Sequence, residues 1–104
     1  MVAIKDETNV GILTDNETEL KQPEDYRVIL LNDDFTTMEF VVAVIISVFH
    51  KGLLEATRIM LDVHNKGRGV VGVYCYDIAV SKITRVHALA KENGYPLKCT
   101  MEKA

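Results

Sequence analysis

From Tyr26 onward the apolar positions change their period from one segment to the next. The run Tyr26-Arg27-Val28-Ile29-Leu30-Leu31 is short and β-branched, and it is bounded by Pro23 and by Asn32-Asp33-Asp34. It predicts a strand followed by a turn. A helix start comes next. Thr36 is placed as N-cap with Glu39 three residues later, the spacing of a capping box, and Phe35 and Phe40 are placed to form a hydrophobic staple. The helix is predicted to run to about Phe49 and to stop at His50-Lys51-Gly52. Val41, Val42, Val44, Ile45, Ile46 and Val48 make it apolar on nearly all sides, which predicts the most buried helix of the chain.

A second helix fits Leu53 to Asn65, with Ala56, Ile59, Met60 and Val63 on one stripe and Gly67 as its stop. Gly69 to Tyr76 is rich in β-branched and aromatic residues and predicts a strand. Asp77 can then cap a third helix with the stripe Ala79, Ile83, Val86 and Ala90, ending at Asn93-Gly94 with Pro96 just beyond. Leu97, Cys99 and Met101 alternate with Lys98, Thr100 and Glu102, the pattern of a strand with one apolar face. The order is β-α-α-β-α-β. It predicts an α+β domain in which three helices pack on one face of a small three-stranded antiparallel sheet.

Residues 1–22 carry no such period; only Val10-Gly11-Ile12-Leu13 interrupts a polar stretch. Residues 1–25 hold the bases Lys5 and Lys21 against the acids Asp6, Glu7, Asp15, Glu17, Glu19, Glu24 and Asp25. A flexible acidic extension over 1–25 and one core domain over 26–104 are therefore expected. The chain's 104 residues leave no room for two independent domains. Its longest apolar stretch, Phe40 to Phe49, is far short of the ~20 residues that span a bilayer. A net charge of -3 argues against a binder that works by neutralising nucleic-acid phosphates. The N-terminus has neither a signal-peptide nor a transit-peptide pattern, so a cytoplasmic protein is expected, or a plastid one if a transit peptide has been removed. Cys75 and Cys99 lack CxxC spacing and suit a reducing compartment.

Asn32-Asp33-Asp34 is the densest polar cluster, set between a strand and a capped helix. Two readings stand: an ordinary turn, or an acceptor-rich site for a small cation or an ammonium group. His64 follows Met60 by four residues, so both project from one helix face. It is either a hydrogen-bonding partner beside an apolar hollow or a helix-end histidine answering the helix dipole. Met38, Met60 and Met101 can line a pliable pocket or simply fill the core. His50, His64 and His87 lie on separate elements without paired-ligand spacing, so no metal and no cofactor is expected. Neither a phosphate loop nor a serine elbow is present, and both cysteines sit among apolar strand residues.

Four segments together resemble one family. YRVILLNDDFTTMEFVV, ATRIMLDVHNKG, a GV followed by a helix with Lys82, and the ending YPLKCTMEKA are similar to the ClpS family, adaptors that select substrates for the AAA+ unfoldases ClpA or ClpC. The resemblance covers Tyr26 to the C-terminus. It implies a protein without enzymatic activity that binds polypeptides beginning with Leu, Phe, Tyr or Trp. In the family pattern Asn32, Asp34 and His64 match residues that hold the substrate's α-amino group, with Asp33 adding negative charge. Thr36, Met38, Val41, Met60, Val63 and Leu97 match the walls of the side-chain pocket. Asp77 and Lys82 match positions that contact the unfoldase's N-terminal domain, and the extension before Tyr26 matches a segment the unfoldase engages during hand-over.

One departure stands out. The family usually has Pro where this chain has Thr37. Loss of proline's fixed angle predicts a freer loop before the helix and a changed ranking of Leu against aromatic residues, because Met38 follows directly. Two other readings are a stand-alone N-recognin-type binding domain and, more distantly, a cysteine-dependent enzyme.

Overall fold

The computed structural model describes residues 24–104. Six elements follow in the order β1 (Asp25–Leu31), α1 (Met38–Phe49), α2 (Leu53–Lys66), β2 (Arg68–Cys75), α3 (Tyr76–Glu92) and β3 (Lys98–Lys103). The expected order β-α-α-β-α-β and the α+β class are the observed ones. The acidic extension lies outside the described residues, apart from Glu24 and from Asp25, which opens β1.

β1 is the central strand, flanked antiparallel by β2 and β3. Its alternation decides which face meets the helices. Val28 and Leu30 join the core with Val71 and Cys99 from the flanking strands, and Val44, Ile45, Ile59, Val63, Val86 and Ala90 come from the three helices. Arg27 lies on the opposite face, where its guanidinium and that of Arg68 both pair with Glu102, at 3.2 and 3.1 Å. Helices therefore cover one face, while charged side chains bridge the strands on the other. Ile29 shares this second face, opposite Val70 and Thr100, and is still buried. The register shifts between Val28 and Ile29, which leaves Val71 as an extra residue in β2. Such a bulge bends and twists the strand that carries it.

The helices follow the predicted stripes, with α1 the most buried, but two caps differ from expectation. In α1 the cap is Thr37, whose hydroxyl accepts the N–H of Phe40 at 3.2 Å. Thr36 is not the cap, because Asp33 recruits it: the Thr36 hydroxyl donates to Oδ2 of Asp33, and the Thr36 N–H to Oδ1, both at 2.7 Å. The capping box dissolves with this shift, since Glu39 becomes the second helical residue. It still favours the positive end of the helix dipole. α1 ends at His50 in a left-handed conformation, its N–H on the Ile46 carbonyl. In α3 the cap position belongs to Cys75, without a side-chain cap bond, and Asp77 sits in the first turn instead of capping it.

Two glycines set α2 against the sheet. Gly67 ends α2 at φ 86, a backbone angle that L side chains rarely adopt. A Cβ on Gly69 would come within 2.7 Å of the Val63 side chain and 3.1 Å of the Ile59 carbonyl. Only glycine permits this approach of β2 to α2, and it places Met60, Val63 and His64 toward the loop that follows β1.

Candidate functional site

The loop between β1 and α1 is held from two directions. Asn32 donates its N–H to the Gly67 carbonyl at 3.0 Å, which ties the loop to the end of α2. Asp33 organises the loop from within: its carboxylate accepts from the Phe35 N–H at 2.8 Å and from both donors of Thr36. Burial raises the Asp33 pKa. The Thr36 hydroxyl and the Thr36 and Phe35 amides lower it by more, so the carboxyl lies below the usual range and carries a charge at neutral pH.

Between this loop, the start of α1 and the last turns of α2 lies a cavity of about 460 Å³. Its apolar walls include Val41, Met60 and Val63, all buried. Asn32, Asp34 and His64 line it from exposed positions, and Met38 stands beside them, 42% exposed. Asp33 and Thr36 complete the set of sequence-derived residues that meet here. Fixed negative charge thus adjoins an apolar hollow, with Asp33, Asp34 and Glu39 on its lining and, among the described residues, His64 as the one basic side chain. Such a site can take a cation attached to a bulky apolar group. Among the described residues no three His, Cys, Asp or Glu side chains group to hold a metal ion.

Of the remaining expected residues, Leu97 was expected on the pocket wall, and Asp77 and Lys82 at the unfoldase contact. Leu97 does not line the cavity; it precedes β3 and packs into the core, 3% exposed. Asp77 is exposed in the first turn of α3. The ammonium of Lys82 donates to the Val48 carbonyl at 2.8 Å and lies over the rings of Phe49 and Tyr74, at 5.7 and 5.3 Å. It thereby serves the C-terminal end of α1, where the last carbonyls need donors.

Phe35, Thr37 and Glu39 also line the cavity and were not among the residues expected there. Glu39 had a signal, its place next to Met38, which the capping-box spacing obscured. The Thr37 position keeps a proline-like backbone angle without proline. Its φ is -72°, close to proline's own angle, and its hydroxyl both caps α1 and lies 3.4 Å from the Tyr95 hydroxyl. Tyr95 in turn stacks on Phe40 with ring centroids 4.6 Å apart.

Known proteins with similar sequences carry one family name. The family model for the ATP-dependent Clp protease adaptor protein ClpS matches residues 21–100. An ATP-dependent Clp protease adapter protein ClpS from Acetivibrio thermocellus is 58% identical over 99 residues, covering 95% of this chain and 92% of its own. One from Burkholderia mallei is 50% identical over 104 residues, the whole of both chains. Among solved structures, Agrobacterium tumefaciens ClpS2 bound to L-phenylalaninamide superposes with a TM-score of 0.77 at 41% identity, covering 80% of this chain and all of that one.

Proposed function

The chain belongs to the ClpS family of ATP-dependent Clp protease adaptor proteins, and from that premise we propose that its cavity grips the first residue of another polypeptide. Asn32, Asp34 and His64 receive the α-amino group, and the charge of Asp33 deepens the negative potential around it. Thr36, Met38, Val41, Met60 and Val63 enclose the first side chain, which is Leu, Phe, Tyr or Trp. The observation that carries this reading is one continuous cavity in which these acceptors adjoin a buried apolar floor. The ligand of the Agrobacterium tumefaciens relative supports it. L-phenylalaninamide carries a free amine and an aromatic side chain, with an amide where the next peptide bond would be.

The chemistry fits in magnitude. An α-amine has a pKa of about 7.7–8.0 and is mostly cationic at neutral pH. Hydrogen bonds to a charged group contribute about 1.5–3 kcal/mol each, and burial of a Leu or Phe side chain about as much again. Neither term alone selects an N-terminus. Together they require a charge and a bulky group on the same residue.

The bound polypeptide passes to a ClpA- or ClpC-type unfoldase, whose N-terminal domain docks at the face bearing Asp77 and Lys82, while the acidic segment 1–25 is engaged during hand-over. The protein acts without catalysis of its own, in the bacterial cytoplasm. The test is an array of peptides that differ only in their first residue. Binding of Leu, Phe, Tyr and Trp peptides above Ala, Val and Asp peptides is expected; a flat profile contradicts the reading.

A further inference from the structure

A second apolar hollow adjoins the first. Met38, Val42 and Met60, with Glu39, line a shallow depression of about 380 Å³ that is open to solvent. Met38, Glu39 and Met60 line both hollows, so the two adjoin at these side chains. Val42 lies one helical turn beyond Met38, partly buried against the core, and continues the apolar surface along α1. Glu39 is the one charged residue of the four. Thioether side chains adapt to varied shapes, so a ridge of two methionines suits contact with different groups on either side.

An extended polypeptide puts its first and third side chains on the same side, about 7 Å apart, with the second pointing away. A chain whose first side chain fills the larger hollow, and which continues along α1, carries its third side chain to the far side of Met38 and Met60. We propose that the smaller hollow is a second subsite, which receives the third residue of the bound polypeptide and prefers Lys or Arg there. The methylene stem lies against Met38, Val42 and Met60, and the cationic head reaches water beside Glu39. Arginine or lysine fits better than a shorter apolar residue because only a long stem spans the hollow and ends in a charge. This subsite rests on the reading of the larger hollow as the seat of a first residue.

The test is fluorescence anisotropy on the full chain with C-terminally labelled peptides Leu-Ala-Xaa-Gly-Gly-Ser, where Xaa is Lys, Arg, norleucine, Gly or Glu, beside Leu-Lys-Ala-Gly-Gly-Ser and the α-acetylated form of each peptide. Lys and Arg are expected to bind about 2–5-fold tighter than norleucine, the scale of an exposed ion pair, and norleucine several-fold tighter than Gly. Glu39→Gln should bring the ratio of Lys to norleucine to about 1. Val42→Lys, whose long stem can reach water without unfolding the helix, should reverse the order of Lys and Glu; circular dichroism confirms its fold. A flat series, a Lys preference that appears at residue two instead, or a ratio that Glu39→Gln leaves intact overturns the subsite. Amine-dependent binding with a flat third position removes the subsite alone. Absence of amine-dependent binding removes both readings.

Discussion

The hydroxyl of Thr37 accepts the N–H of Phe40 at 3.2 Å and so closes the first turn of α1 beside the cavity. Thr37→Ala should lower stability by about 1 kcal/mol, the usual cost of a lost N-cap. Thr37→Pro should cost less. The observed φ of -72° already suits proline, and the reduced freedom of the unfolded chain offsets the missing cap. Urea unfolding of the two variants checks the order. Since the backbone angle at this position suits either residue, wild type and Thr37→Pro should rank Leu and aromatic peptides alike.

Asp33 makes the site sensitive to acid. Its folded pKa lies below its unfolded value of about 3.9, so its contribution to stability is present above that value and is lost as the pH falls through the folded one. Glu102 acts in the same direction: hydrogen bonding to Arg68 lowers its pKa, desolvation partly opposes this, and Arg27 adds to the lowering. Urea midpoints should therefore fall below about pH 4. In Asp33→Asn the decline should be shallower, with the Glu102 part remaining. An acid limb of unchanged slope in Asp33→Asn would contradict the hydrogen bonds assigned to this carboxylate.

Lys82→Met keeps the aliphatic stem and removes the ammonium that meets the Val48 carbonyl and the two rings. A stability loss of about 1–3 kcal/mol is expected. Asp77→Asn loses only a helix-dipole interaction and should cost less than about 1 kcal/mol. Binding to an unfoldase N-terminal domain should thus be compared between the two at a temperature where both are folded. A Lys82→Met variant as stable as wild type would show that the ammonium has no structural part.

Burial pushes the Cys99 thiol up to about 12, so it is protonated at neutral pH and shielded, whereas Cys75 is half-buried. A thiol reagent should modify one cysteine quickly in the native protein and two after denaturation. Cys75→Ser with Cys99→Ala should retain peptide binding, which a cysteine-dependent reaction would not survive.

Periodicity made most of the fold legible, because each helix buries one stripe and the sequence writes that stripe directly. Ala56, Ile59, Met60 and Val63 are the buried residues of α2, and Ala79, Val86 and Ala90 those of α3. Local competition between neighbours was not legible. Thr36 and Thr37 are equally good caps in isolation, and the choice falls to Thr37 only because Asp33 takes the Thr36 hydroxyl. The alternation that marks β3 also groups Leu97 with Cys99, yet it cannot say that both serve the core and not the cavity wall. The bulge at Val71 leaves no trace in the pattern, since an extra valine in a β-branched run disturbs nothing.

The site was legible as a cluster but not as a cavity. Asn32-Asp33-Asp34 reads as a turn or an acceptor site, and Asp33 in fact builds the turn with its own carboxylate. What turns the cluster into a site is a contact between distant segments, the Asn32 N–H on the Gly67 carbonyl, which brings the end of α2 to the loop. No local pattern encodes that bond.

The most direct measurement is a titration of two labelled peptides that begin with Leu and differ only in acetylation of the α-amine. If, as proposed, Asn32, Asp34 and His64 on the cavity lining receive the amine, acetylation removes its charge and adds bulk there, so affinity should fall about 100-fold or more, the equivalent of one or two charge-assisted hydrogen bonds. Equal affinity for the two peptides would mean that the cavity does not read an ammonium group at all.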